Sequence, residues 1–90
     1  MNISNDAYNA AWNKGKVVEG QDPEEFRKDL CGAWIGKRFY GKQNNQFGWE
    51  IDPKDGPLQW QNWKARQEGK YLCIVTSSRI RNVVIEEEAI

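Results

Sequence analysis

Apolar and polar residues alternate along this chain in short stretches, none long enough for a large element. In residues 2–13 Tyr8 and Trp12 stand four apart among Ala7, Ala10 and Ala11, so a helix would put both rings on one face. That segment reads as a short helix or a loose arm. Gly15 and Gly20 bracket Lys16-Val17-Val18-Glu19, an extended connector. Asp22-Pro23-Glu24-Glu25 has the form of a helix start, with Asp22 as cap, Pro23 in the first position and Glu25 closing a capping box. Cys31-Gly32 would soon end that helix. Ala33 to Ile35 reads as a strand, and Gly41 to Gly48 as a polar loop. Trp49-Glu50-Ile51-Asp52 alternates as a second strand, with Glu50 and Asp52 on one face and Trp49 and Ile51 on the other. Pro53 to Pro57 is turn chemistry throughout. Leu58 to Gln67 lacks Gly and Pro and predicts a helix stopping near Gly69. Tyr71 to Thr76 and Asn82 to Glu87 predict strands around a Ser77-Ser78-Arg79 hairpin. The expected class is α+β: a small antiparallel sheet with two or three short helices.

Composition tightens this picture. Ninety residues suit one domain, divided here into an arm or short helix over 1–20 and a domain over 21–90. Five Trp, three Tyr and three Phe let a few rings anchor a core even though 29% of the residues are charged. Thirteen basic residues balance thirteen acidic ones, which argues against a partner held mainly by its phosphates. Local clusters remain: Lys37, Arg38 and Lys42; Lys64, Arg66 and Lys70; Glu86 to Glu88. Each reads first as a solvated face. No stretch has the apolar length of a membrane span, and the first residues carry no secretory pattern, so no membrane contact and a cytoplasmic location are expected. With no His and only two Cys, no structural zinc site is expected. Cys31 and Cys73 read by default as reduced, buried thiols, with a disulfide open if their segments lie adjacent.

Residues 31–66 carry the chemistry. Cys31-Gly32-Ala33-Trp34-Ile35, then Tyr40-Gly41, then Gly48-Trp49-Glu50-Ile51-Asp52, then Pro57-Leu58-Gln59-Trp60-Gln61-Asn62 resemble a bacterial and phage branch of the HNH endonucleases. The resemblance spans roughly forty residues and implies a ββα core in which strand and helix hold one divalent metal. In that family a His following the strand acid serves as general base. Asp52 matches the strand acid, but Pro53 stands where the His belongs. The position of the helix ligand falls on Trp63, with Arg66 at the basic position and Asn62 at the preceding Asn. The intervening loop shrinks to Lys54-Asp55-Gly56.

One acid without base or second ligand implies no catalytic residue, no resident metal and no cofactor. A lone carboxylate binds magnesium weakly. Glu50, on the same face as Asp52, is the alternative route to a two-carboxylate nuclease site, with Asp55 as a further candidate. Trp34, Trp49 and Trp60 read as core. Trp63 either plugs the vacated pocket, the favoured reading because burying an indole stabilises the fold, or joins Lys64 and Arg66 in a stacking surface for a base. Lys37-Arg38-Phe39-Tyr40 interleaves charge with rings and is a weaker candidate of the same kind.

The expectation is therefore a non-catalytic HNH-like module contacting nucleic acid or a nucleic-acid-processing partner, through candidates Glu50, Asp52, Asn62, Trp63, Lys64, Arg66, Lys37 and Arg38. The alternative is a binder of small nucleotides or of an effector protein, in defence or counter-defence. Sequence does not fix the oligomeric state.

Overall fold

The computed structural model describes residues 5–70 and 73–76. It is a small α+β fold of two antiparallel two-stranded sheets and two α-helices. Helix α1 spans Asn5–Trp12. Strands β1 (Phe26–Lys28) and β2 (Trp34–Gly36) form one sheet, with Arg27 opposite Ile35. A 3-10 turn over Lys37–Phe39 and a polar loop lead to β3 (Trp49–Asp52). Strand β4 (Gly56–Gln59) pairs with β3, placing Trp49 opposite Gln59 and Asp52 opposite Gly56. Helix α2 (Trp60–Gln67) follows at once, giving an uninterrupted ββα unit.

The tyrosine and tryptophan of α1 do share a face, and that face meets Trp49. Ring centroids lie 5.7 Å apart for Tyr8 and Trp49 and 5.2 Å for Trp12 and Trp49. Ala11, Trp12, Ile35 and Trp49 are buried together, with Tyr8, Tyr40 and Ile51 against them. At about 25 cal/mol per Å² over roughly 150–250 Å², each buried indole contributes about 4–6 kcal/mol of gross stabilisation. Their polar ends find partners: Trp12 Nε1 donates to the Pro23 carbonyl at 2.8 Å, Trp49 Nε1 to the Lys37 carbonyl at 3.2 Å. Helix α1 therefore supplies core, because Ala11 is buried and Trp12 is fully buried.

Three expectations about elements are corrected. The helix expected from Asp22 is a single turn. Asp22 accepts from the Glu24 amide through its side chain and from the Glu25 and Phe26 amides through its carbonyl, and the chain then becomes β1. Tertiary contacts override the capping signal: Arg27 is buried, donating to the carbonyls of Pro23, Asn13 and Gly15, and Phe26 packs edge-on to Phe47. The second helix begins at Trp60 rather than Leu58, since Pro57 and Leu58 complete β4 opposite Ile51 and Glu50. The Gln59 side chain supplies the cap, accepting from the Gln61 amide at 2.8 Å. Of the strand expected over Tyr71 to Thr76, residues 73–76 carry no strand. Tyr71, Leu72, the Ser77–Arg79 hairpin and the Asn82–Glu87 strand lie outside the described residues.

The cysteines are also corrected. Cys31 and Cys73 form a disulfide, with Cα atoms 5.3 Å apart. The β1–β2 turn thus lies beside the segment that follows α2, and the reduced default does not hold.

No helix among the described residues is long and apolar enough to cross a membrane.

Candidate functional site

Asp52 closes β3 and is only 4% exposed. Its Oδ1 accepts from the amides of Lys54 and Asp55 at 2.8 and 2.9 Å, so the residue organises the tight β3–β4 turn. Its Oδ2 lies 3.1 Å from Arg66 Nε on α2, and Arg66 Nη1 reaches Asp55 Oδ2 at 2.6 Å. Both carboxyl oxygens are therefore engaged, and a guanidinium occupies the place where a cation would meet this acid. Three residues before Arg66 on the same helix, Trp63 is half-buried. The positive group facing Asp52 comes from Arg66.

Burial alone would raise the Asp52 pKa. The amides of Asp55 and Lys54, together with the Arg66 and Lys54 charges, outweigh it and hold the carboxyl below its ordinary value. The folded state thus binds the Asp52 proton less tightly than the unfolded chain does. Its contribution to stability is complete above the ordinary aspartate range and is lost as pH falls through the folded value. Stability should drop between neutral pH and about pH 3, with a visibly smaller drop in Asp52→Asn. Urea midpoints at both pH values check this. Equal losses in the two proteins would refute the assignment.

Asn62 belongs to a different network. It is fully buried on α2, and its Oδ1 accepts from the Ile74 and Val75 amides at 2.8 Å each. Its Nδ2 donates to the Val75 carbonyl and to Asp29 Oδ2. With donor and acceptor both satisfied, this amide fastens residues 74–75 to the helix. Glu50 is half-buried and accepts from Gln43 Nε2 at 3.3 Å, so β3 gives its two acids separate partners. Lys37 pairs with Glu24 at 2.5 Å, while Arg38 is exposed with its guanidinium over Phe39. Lys64 is exposed on α2.

A divalent cation of the kind the family resemblance implies does not fit this donor set. Asp52 is committed to Arg66 and the turn amides, Pro53 offers no imidazole, and Asn62 is spent on the backbone of residues 74–75 and on Asp29. Among the described residues no group of three or more His, Cys, Asp or Glu side chains could hold a metal ion.

The hub that organises the region is Asp29, 1% exposed, at the end of β1. Its Oδ1 accepts from the amides of Cys31 and Ala33, and its Oδ2 from the Gln59 amide and Asn62 Nδ2. One side chain thus ties the first sheet to β4 and α2. An acid two residues before Cys31-Gly32 has the local signature of an Asx turn. Its long-range half leaves no such mark.

No protein-family model, curated protein or solved structure matches this chain.

Proposed function

We propose that this protein is a non-catalytic binding module of the HNH-like ββα type, bacterial or phage in origin, contacting nucleic acid or a nucleic-acid-processing partner. The observation that carries this reading is the full engagement of the Asp52 carboxyl by Arg66 and the turn amides. In this reading the strand–helix cradle keeps its shape, but an internal ion pair takes the role of the cation. General acid–base catalysis is typically worth about 10²–10⁴-fold, and with Pro53 beside the acid that contribution is gone. Fold alone does not choose the partner. Nucleic acid is favoured by Lys64 and the half-buried indoles of Trp60 and Trp63 on α2.

The test is a mobility-shift series with labelled single- and double-stranded oligonucleotides at low salt in the presence of magnesium. The expected result is retarded, full-length oligonucleotide. Shortened products that disappear in Asp52→Ala would overturn the non-catalytic reading, and absence of any retarded species would remove nucleic acid as the partner.

We also place the protein in the cytoplasm, in keeping with such a partner. Reducing systems there act on accessible disulfides, so the half-buried Cys31–Cys73 bond has to resist them.

A further inference from the structure

The polar loop between the 3-10 turn and β3 forms one wall of a groove of about 420 Å³. Gln43, Asn44, Asn45 and Gln46 line it from the loop, and Trp60 and Gln61 from the start of α2. Five of these six side chains are carboxamides and the sixth is an indole. Trp60 and Gln61 also line a neighbouring groove of about 240 Å³, whose wall includes Lys64 and Lys70. Sharing Trp60 and Gln61, the two grooves adjoin as a trough, lined by uncharged side chains on one side and by Lys64, Glu68 and Lys70 on the other.

The carboxamide wall is held in place. The Asn45 side chain accepts from the Phe47 amide, and the Gly48 amide donates to the Asn45 carbonyl. Phe47 is buried, and the Gln46 carbonyl accepts from Gln59 Nε2 at 3.0 Å. The Gly48 carbonyl accepts from the Trp60 amide, and a Cβ at Gly48 would lie 1.8 Å from the Lys42 carbonyl oxygen. A loop closed this tightly presents its amides at little further entropic cost on binding.

We propose that this trough takes an unpaired nucleobase, with the base against Trp60 and its polar edge on the carboxamides. A carboxamide carries a donor and an acceptor side by side, which suits the mixed edge of a base better than a charged group. In this wall Gln43 Nε2 also donates to Glu50 and the Asn45 side-chain oxygen also accepts from the Phe47 amide, while Asn44 is exposed. An indole gives a stacking face of the kind that single-strand binders use. Lys64, exposed in the second groove, stands where a flanking phosphate would run, while Lys70 is shared with Glu68 at 3.1 Å. An open trough of this kind reads exposed bases, not the closed face of a duplex. The inference rests on the nucleic-acid reading above but uses none of the residues of the Asp52 cradle. A single strand and a free nucleotide supply the same base chemistry.

Fluorescence anisotropy with a short labelled single-stranded oligonucleotide, competed by its duplex and by mononucleotides, tests this. Trp60→Ala should weaken binding roughly 5- to 150-fold, the loss of one stacked base. Asn44→Ala, on an exposed position where folding is not at stake, should weaken it roughly 2- to 10-fold. The log–log salt slope should be shallow, about −0.7 to −1.4 for one or two phosphates. Mononucleotide binding with the same sensitivity to both variants would support the trough and identify the free nucleotide as the source. Oligonucleotide binding with wild-type affinity in both variants would overturn the trough while leaving nucleic acid as the partner. Absence of binding to every nucleic-acid probe would overturn both. Capture of a neutral oligosaccharide instead, lost in the same variants, would overturn the nucleobase assignment.

Discussion

Replacing Asp29 by Ala should destabilise the fold by roughly 3–5 kcal/mol, enough to bring a small domain close to unfolding. The side chain accepts four hydrogen bonds in the interior, from the amides of Cys31, Ala33 and Gln59 and from Asn62. Truncation leaves those donors without an acceptor, and an unsatisfied buried donor costs about 1–3 kcal/mol. The penalties do not simply add, because the emptied space admits some relaxation and water. Asp29→Asn keeps one carbonyl oxygen and should fall between the two. Denaturant unfolding of the three proteins checks the order. An alanine variant within about 1 kcal/mol of wild type would show that the hub is not what joins the first sheet to the ββα unit.

The second large effect belongs to the Cys31–Cys73 disulfide. It closes a loop of sequence separation 42, for which the chain-entropy argument gives about 4 kcal/mol of stabilisation. In a domain of this size that corresponds to roughly 15–30 °C in Tm. Reduction, or replacement of both cysteines by Ser, should therefore lower the melting temperature by an amount of that order. The chain segment held by Asn62, residues 74–75, lies immediately beyond Cys73 and should lose protection from amide exchange first. Two freely titrating thiols in the folded protein, with melting indifferent to reductant, would contradict the assignment.

How much of this was readable in advance depends on how local each determinant is. The alternation of Trp49-Glu50-Ile51-Asp52 places β3 correctly, since it is a property of adjacent residues, whereas the turn expected over Pro53 to Pro57 covers only 53–55 and Gly56 and Pro57 belong to β4. The pairing of Tyr8 with Trp12 on one face is equally local, although what that face meets, Trp49, is not. The Asp22 signal fails because the interior around Arg27 outweighs one cap. Leu58 carries nothing that favours strand over helix, and only its position opposite Glu50 decides the matter. For the candidate site, the resemblance directs attention to Asp52 and to the missing imidazole at Pro53. It places the family's helix-ligand position on Trp63, whereas the contact on Asp52 comes from Arg66, one turn further along α2. Asn62, matched to a polar position of the family motif, is consumed by residues 12 and 13 further on and by Asp29, 33 before it. The role of Asp29 is not legible locally, because its partners at Gln59 and Asn62 are distant in sequence. The carboxamide loop was visible only as polar residues. Its function as the wall of a groove depends on Trp60, which the chain brings back to it through the Gln59 and Trp60 hydrogen bonds.

The ion pair across the cradle is the feature on which the functional reading turns. Arginine suits it, since a planar guanidinium spans two carboxyl groups where a hydrated metal would need further oxygens. The most direct test is an NMR titration of the backbone amides with Mn²⁺. If Arg66 stands in for the cation, the amides of Asp52, Lys54 and Asp55 should broaden no more than those of exposed acids elsewhere, such as Glu19. Saturable broadening centred on Asp52, made weaker by Asp52→Asn, would mean that this acid still holds a metal.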